Sequence, residues 1–208
     1  MKQILLGVMA AATLATAPAA AADFSFAGNL SDPNEILYFD FSVAGPSNVT
    51  LRTYSYAGGT NAQGTAIARG GFDPILSLYD LASGLRVGQN DDGGCSAVPG
   101  DAVTGQCWDT FFEELLNAGN YRVAVTAYSN FGPDQLGDPF DLTGSFVDET
   151  GDPRDTHFAF DVLGVDTATG PGGGGGIPEP STWAMMLAGF AVVGGALRGR
   201  RRPVLAQG

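Results

Sequence analysis

The sequence predicts an all-β protein built as an antiparallel β-sandwich. Between residues 23 and 169 it contains many short runs in which apolar and polar residues alternate, such as residues 37–43. Alternation of this kind is typical of strands with one buried face. Clusters of Gly, Pro, Asn and Asp separate the runs, and no long stretch repeats its apolar residues at the 3.6-residue period of a helix. Many short strands with frequent turns indicate a sandwich.

The runs can be assigned in order. The predicted strands are residues 37–43, 49–56, 66–69, 72–80, 85–89, 111–116, 121–128, 142–147 and 158–162. A turn at 81–84 predicts a hairpin between 72–80 and 85–89. The turn at 117–120 likewise predicts a hairpin between 111–116 and 121–128, although propensity alone would also allow a helical turn at 111–116. Residues 130–155, rich in Gly, Pro and Asp, are predicted to be mostly loop.

The charge of this region is strongly negative. Residues 23–169 contain 21 of the chain's 22 acidic residues and five of its ten Lys and Arg residues, so their formal charge is −16. Such a surface repels phosphate backbones, which excludes nucleic acid as a partner. Divalent cations fit this charge, and solubility alone is the alternative reason for it.

The N-terminus has the pattern of a secretory signal peptide. Met1 and Lys2 precede an apolar run at residues 4–17, and small residues follow up to Ala22. This order of charged, apolar and small residues predicts export with cleavage after Ala22. Residues 1–22 are therefore assigned to the signal peptide and residues 23–169 to the sandwich.

The C-terminus predicts a membrane segment. A Gly-rich linker at 170–177 leads to Pro178, Glu179 and Pro180, an apolar run at 183–197, an arginine cluster and a tail at 203–208. As a helix the apolar run is about 22 Å long, shorter than the roughly 30 Å hydrocarbon core. The cluster orients the segment with its C-terminus in the cytoplasm. It consists of Arg198, Arg200, Arg201 and Arg202.

Residues 178–202 together resemble the PEP-CTERM sorting signal. The resemblance implies that an exosortase-type membrane protease cuts the chain near Pro-Glu-Pro, so that the membrane anchor is transient and the protein proceeds to the cell surface or extracellular matrix. A C-terminal anchor that stays in place is the alternative.

The two cysteines predict one disulfide bond. Cys95 and Cys107 lie in an exported chain with eleven residues between them, several of which are Gly, Pro, Ser and Thr. Export exposes thiols to an oxidising compartment, which favours their pairing. A zinc site does not fit, because His157 is the single histidine and has no ligand spacing.

Three motifs in the central region resemble the DVUA0089 (FDP) family of exported proteins, which is similar to bacterial pre-peptidase C-terminal domains. They are Gly71 to Leu78, Asn90 to Gly93 and Ala118 to Val125. The resemblance implies a jelly-roll-like sandwich, and it transfers no activity residue by residue.

A Ca²⁺ site is predicted from oxygen-bearing side chains in one turn. Asn90, Asp91 and Asp92 offer three donors, and Asp73 joins them if the hairpin places it at the same end. Ca²⁺ takes six to eight oxygen ligands from adaptable loops. The alternative is an Asx-rich turn whose side chains bind their own backbone. Asp80 is a further candidate.

The sequence predicts a non-enzymatic protein. It has no Gly-x-Ser-x-Gly elbow, and a Ser-His-Asp site would depend on His157 in a loop-like context. We therefore expect an exported surface or matrix protein associated with exopolysaccharide in a biofilm. A secreted hydrolase, or the accessory carbohydrate- or Ca²⁺-binding domain of one, is the alternative.

Overall fold

The computed structural model describes residues 22–171, 177–178, 189–190 and 193. The signal peptide up to residue 21, Glu179, Pro180 and the predicted arginine stop lie outside these residues. Most of the predicted linker and apolar segment also lies outside them.

The described chain is almost entirely β-structure. Its strands are β1 (Ala22–Asn29), β2 (Leu37–Val43), β3 (Ser47–Thr53), β4 (Gly59–Thr60), β5 (Ala66–Ile67), β6 (Pro74–Asp80), β7 (Arg86–Asn90), β8 (Phe111–Leu116), β9 (Gly119–Ala127), β10 (His157–Val165), β11 (Thr167–Thr169) and β12 (Ile177–Pro178). The alternating apolar runs therefore did predict strands, and the bounds of β2 and β8 agree with the sequence prediction. The strands β1 and β11 were not predicted.

Two five-stranded antiparallel sheets form the sandwich. The first has the order β12-β1-β10-β3-β8 and the second β11-β2-β9-β6-β7. Apart from the short end strands β11 and β12, each sheet has four strands. β4 and β5 pair in a separate two-stranded sheet, and of the connections between strands of the two main sheets only β6 to β7 stays within one sheet. This is the double-sheet arrangement of a jelly roll, so the predicted fold class is confirmed.

The core lies between the two sheets. Phe39 of one sheet and Phe160 of the other meet edge to face, with ring centroids 5.2 Å apart. Leu51 and Val123 are fully buried in the same cluster. Each such side chain contributes roughly 1.5–3 kcal/mol through removal of its apolar surface from water. Inward alternation supplies them in strands such as β2 and β3, whereas β6 and most of β9 are buried at consecutive positions.

The predicted hairpin between residues 111–116 and 121–128 is wrong. β8 pairs with β3 at the edge of one sheet, whereas β9 lies between β2 and β6 in the other. The reason is burial: β9 is buried on both faces over most of its length and needs two neighbours, while three consecutive residues of β8 are exposed. The turn before Tyr121 therefore crosses between sheets, and the Tyr121 hydroxyl donates to the Asn117 carbonyl across it at 3.0 Å.

The long segment at residues 130–155 is irregular, as predicted, but it is well packed. Its first part covers the outer face of the second sheet, where Phe140 packs with Tyr79 and Ala124 in a small second core. The strand predicted at residues 142–147 is absent from this described segment, where Val147 forms only an isolated bridge with Pro153.

The chain leaves the sandwich beside the strand where it enters. β1 begins at Ala22, and β12 pairs with it opposite Phe24 and Ser25. Farther on, Gly189, Phe190 and Val193 are helical and exposed. Among the residues that the structure describes, no helix is both long and apolar enough to cross a membrane.

Candidate metal site

The β6–β7 hairpin brings the predicted ligands to one end of the sandwich. Asp73 directly precedes β6, and Asn90 ends β7, whose pairing sets Asn90 opposite Leu76. Asp91 and Asp92 follow in the turn that leaves the hairpin. Asp80 lies at the opposite end of β6, where its carboxylate accepts hydrogen bonds from the backbone of Ala82 and Ser83. Asp80 is therefore not part of this group.

The turn after β7 is held against the start of β8. The Thr110 hydroxyl contacts the Pro74 carbonyl at 2.7 Å and the Asp91 carbonyl at 3.2 Å. The Gly93 amide donates to the Asp109 carbonyl at 2.9 Å. A Cβ on Gly93 would lie 2.8 Å from Phe111 Cβ and 2.9 Å from that carbonyl, so only glycine allows the turn to approach this closely. The backbone of the acidic turn is thus fixed.

Two oxygens at this end are buried and lack hydrogen-bond donors. Asp73 is only 7% exposed, and no described residue donates to its Oδ1. The side-chain Oδ1 of Asn90 is likewise buried without a partner in the described part of the chain. A buried polar oxygen without a partner costs free energy, about 1–3 kcal/mol on mutational scales. The alternative Asx-rich turn, in which these side chains bind their own backbone, does not account for these two atoms.

The surroundings of the site disfavour the negative charge of its carboxylates. Burial, together with the nearby Asp92 and Asp91 carboxylates, raises the pKa of Asp73 to about 9. Burial and Asp91 also raise the pKa of Asp92, to about 6, and Glu149 adds to both effects. Desolvation and like-charge repulsion therefore disfavour the ionised carboxylates, which is the environment that a bound cation reverses.

The protein's own cations are engaged elsewhere. Residues 22–171 contain five arginines and no lysine. Four of them pair with Asp101, Asp134, Asp40 and Asp148, and the fifth, Arg52, lies over the Tyr54 ring at 4.9 Å. Within the described residues, no arginine pairs with Asp73, Asp91 or Asp92. Any positive charge here must come from outside the described chain.

The carboxylates are close but not already drawn together. Among the described residues, no three Asp, Glu, His or Cys side chains stand at metal-binding spacing. Asp92 and Glu149 are exposed, and the Glu149 carboxylate accepts a hydrogen bond from the Tyr128 hydroxyl at 3.0 Å. A hard cation with adaptable coordination, such as Ca²⁺, fits such an oxygen-only donor set.

A second acidic group lies in the neighbouring loops, and its carboxylates have arginine partners, although Arg154 Nη2 is buried without a hydrogen bond among the described residues. Arg154 donates from Nε to Asp148 Oδ2 at 2.7 Å and lies 3.8 Å from Asp101 Oδ1. Arg69 donates from Nη2 to Asp101 Oδ1 at 2.9 Å. The Tyr56 hydroxyl also donates to Asp148, at 2.8 Å. Sequence reasoning missed this group because its members are far apart in the chain and form no motif.

The predicted disulfide is present. Cys95 and Cys107 are bonded, with an S–S distance of 2.02 Å, and they enclose the loop that carries Asp101. The bridge therefore lies beside the paired acidic group and not across the sandwich core.

His157 does not form a hydrolytic triad with a serine. Its Nδ1 contacts Asp155 Oδ1, and its Nε2 lies 3.0 Å from the Ala68 carbonyl oxygen. Both ring nitrogens are thus occupied, and neither contacts a serine hydroxyl among the described residues.

Comparison with known proteins identifies the tail. The family model described as the PEP-CTERM protein-sorting motif matches residues 176–202. The chain therefore contains this motif, which indicates a protein sorted by an exosortase system and is consistent with export and transient membrane anchoring. No curated protein matches the chain. The similarity of the sandwich to the FDP family stays a prediction.

Proposed function

We propose that the protein is a non-enzymatic sandwich protein of the cell surface or extracellular matrix, which binds Ca²⁺ and associates with exopolysaccharide in a biofilm. Asp73, Asn90, Asp91 and Asp92 are its proposed Ca²⁺ ligands. The sorting motif at residues 176–202 supports delivery by an exosortase-type enzyme.

One observation carries the Ca²⁺ proposal, namely the buried Oδ1 of Asp73, which lacks a donor and faces the charge of Asp91 and Asp92. Carboxylates that repel each other in a buried setting become ligands when an oxygen-seeking divalent ion binds between them. The ion replaces the positive partner that the arginines do not supply.

Melting with Ca²⁺ and with chelator at matched ionic strength tests this proposal. If Ca²⁺ binds only the folded state, a free concentration a hundredfold above its dissociation constant stabilises that state by about 2.7 kcal/mol, which is several degrees in Tm. The Asp91→Asn with Asp92→Asn variant should lose the shift, and Na⁺ should not replace Ca²⁺. A Tm shift that is absent, or unchanged in the double variant, contradicts the site.

A shallow depression on the outer face of the second sheet supports the polysaccharide proposal. Its volume is about 380 Å³, and Tyr38, Asp40 and Arg122 line it. Arg122 binds Asp40 through two hydrogen bonds of 2.6 and 2.8 Å and lies 5.1 Å from the half-buried Tyr38 ring. The paired polar groups of Asp40 and Arg122 suit the hydroxyls of a sugar ring, and the Tyr38 ring, which Arg122 covers on one face, borders them.

Binding and hydrolysis assays with a panel of polysaccharides separate this proposal from its alternative. Binding without turnover, weakened by Tyr38→Ala, is the expected result. Turnover would instead favour a secreted hydrolase. Binding that Tyr38→Ala leaves unchanged would exclude this depression.

Intact mass of the protein recovered from the cell surface tests the transient anchor. The mass should correspond to a chain that ends near Pro178 to Pro180. A mass that includes residues 183–197 would mean that the hydrophobic segment stays in place.

A further inference from the structure

A loop distant in sequence reaches the proposed Ca²⁺ site through Tyr128. The backbone amide of Tyr128 donates to the Asp73 carbonyl oxygen at 2.8 Å. The hydroxyl of the same residue donates to Glu149 Oε1 at 3.0 Å. Tyr128 thus connects the buried Asp73 to a carboxylate in the loop at residues 145–154, which we call the 145–154 loop.

The base of this loop is fixed. Asp148 accepts hydrogen bonds from the amides of Thr150 and Asp152 at 2.9 and 3.0 Å, and Arg154 holds the same carboxylate. The Arg154 amide donates to the Phe146 carbonyl at 2.7 Å. Because Asp148 is anchored, the adjacent Glu149 stays near the site while its own side chain remains exposed.

Glu149 is also electrostatically coupled to the site. Its charge is one of the causes that raise the pKa values of Asp73 and Asp92. No arginine of the described chain pairs with Glu149, whose one hydrogen bond comes from Tyr128. A carboxylate in this position adds to the repulsion in the absence of a cation and to the attraction in its presence.

We infer that Glu149 is a further ligand of this Ca²⁺ site, so that the cation clamps the 145–154 loop onto the acidic turn. The inference rests on the Ca²⁺ binding proposed above. Asp73, Asn90, Asp91, Asp92 and Glu149 then supply side-chain oxygens from three separate chain segments. Bidentate carboxylates and backbone carbonyls can complete the six to eight oxygens that Ca²⁺ takes. Mg²⁺ requires near-ideal octahedral coordination at short distances and usually retains several waters. It therefore fits a set of ligands from three chain segments poorly.

Calorimetric titration of Ca²⁺ into the exported protein and its Glu149→Gln variant tests the inference. Affinity should fall by about tenfold or more, since loss of even an outer partner weakens metal sites by about 10- to 100-fold. Glu114→Gln makes the same charge change at an exposed position of β8 and is the matched control. It should leave the affinity within about twofold of wild type.

The outcomes separate the two proposals. If the wild type binds Ca²⁺ but Glu149→Gln binds as tightly as Glu114→Gln, Glu149 is not a ligand while the proposed Ca²⁺ binding stands. If the wild type binds no Ca²⁺, the proposed function fails, and this inference fails with it. Melting in chelator confirms that the variants are folded, as expected for an exposed side chain.

Terbium luminescence gives a second readout that a merely structural role of Glu149 would not move. Tb³⁺ substitutes for Ca²⁺, and a nearby tyrosine transfers excitation to it over short distances only. We expect strong emission on tyrosine excitation, with Ca²⁺ displacing the Tb³⁺, and a large loss of emission per bound ion in Tyr128→Phe. Emission that Tyr128→Phe leaves unchanged would place the ion away from Tyr128 and Glu149 and overturn the inference.

Discussion

Two groups of buried carboxylates in this domain differ in their partners: one has arginines and other hydrogen-bond donors, and the other has neither. Asp101 and Asp148, in the loops that Arg154 joins, have arginines within hydrogen-bonding distance. Asp73 has none; its exposed fraction, 7%, is close to the 8% of Asp148, but more protein surrounds its carboxylate, so desolvation opposes its ionisation more strongly. The contrast shows that burial alone does not decide the protonation state of a carboxylate.

The pKa is lowered at Asp101 and Asp148, which have hydrogen-bonding partners, and raised at Asp73, which has none among the described residues. Burial opposes the ionisation of both Asp101 and Asp148, but hydrogen bonds from Arg69 and Thr104 in one case, and from Thr150, Tyr56 and Arg154 in the other, outweigh it and hold both pKa values below the ordinary range. At Asp73 burial and neighbouring acids act in the same direction, and the pKa rises to about 9. The first group finds its positive partners within the protein, and for the second we propose an external cation.

The largest expected effect is a difference of sign between two identical substitutions. Asp148→Asn leaves the buried Arg154 without its carboxylate, and loss of one member of a buried pair costs about 3–5 kcal/mol. Asp73→Asn removes a buried acid that has no positive partner, so in chelator it should not destabilise the protein and should raise the free energy of unfolding at pH 8. Urea unfolding of both variants in chelator measures this. Destabilisation of similar size in both would remove the distinction between the groups.

A smaller effect is expected from the disulfide, which encloses the loop that carries Asp101 of the paired group. Replacing Cys95 and Cys107 by serine should cost roughly 3 kcal/mol in the chain-entropy model. The sandwich should stay folded, because Arg69 and Arg154 still hold Asp101 within the loop. The loss should be equal with Ca²⁺ and with chelator. Circular dichroism and melting measure it, and a larger loss in Ca²⁺ would show that the loop supports the metal site as well.

The effect of pH on stability should be opposite for the two groups. Because folding raises the pKa of Asp73 from 3.8 to about 9, the folded state keeps a proton that the unfolded state loses. The contribution is complete below about pH 4 and is lost as pH rises to about 9, by up to about 1.4 kcal/mol per pH unit. Asp91, Asp92, Asp109 and Glu149 face Asp73 and act in the same direction.

The paired carboxylates Asp101 and Asp148 affect the stability of the protein at low pH. Their lowered pKa values mean that their contribution is complete above the ordinary carboxyl range and is lost as pH falls below it. Unfolding in chelator between pH 5 and 8, compared between wild type and Asp73→Asn, measures the Asp73 contribution as a difference. Equal slopes in the two proteins would contradict the raised pKa.

Many of the strands could be predicted from the local sequence pattern, but fewer of the pairings between them. Alternation predicted β2 because the outward and inward residues of one strand are adjacent in sequence, whereas β8 was predicted only through a hairpin that the structure does not contain. Alternation could not assign β8 to β3, since that choice depends on which strand needs two buried faces. The unpredicted β1 is short of turn signals on its N-terminal side, where it continues directly from the predicted signal peptide.

Of the candidate metal site, one part could likewise be predicted from the sequence and another part could not. Asp73, Asn90, Asp91 and Asp92 could be grouped from sequence because one hairpin brings the end of β7 beside the start of β6. Glu149 belongs to a motif-free loop, and its approach depends on Tyr128 and on the Arg154 pairing. Such contacts join residues that are distant in the sequence and form only when the whole domain folds, so no local sequence pattern predicts them.

Equilibrium dialysis against Ca²⁺ tests the central claim most directly, because it counts ions per chain whatever their effect on stability. The exported protein should bind one Ca²⁺ per chain at the site of Asp73, and Asp73→Asn should lose that ion. Arg69→Lys, which preserves the charge of the paired group, should keep it. No bound Ca²⁺ in the wild type, or an equal amount in Asp73→Asn, would contradict the claim that an external cation completes the unpaired group.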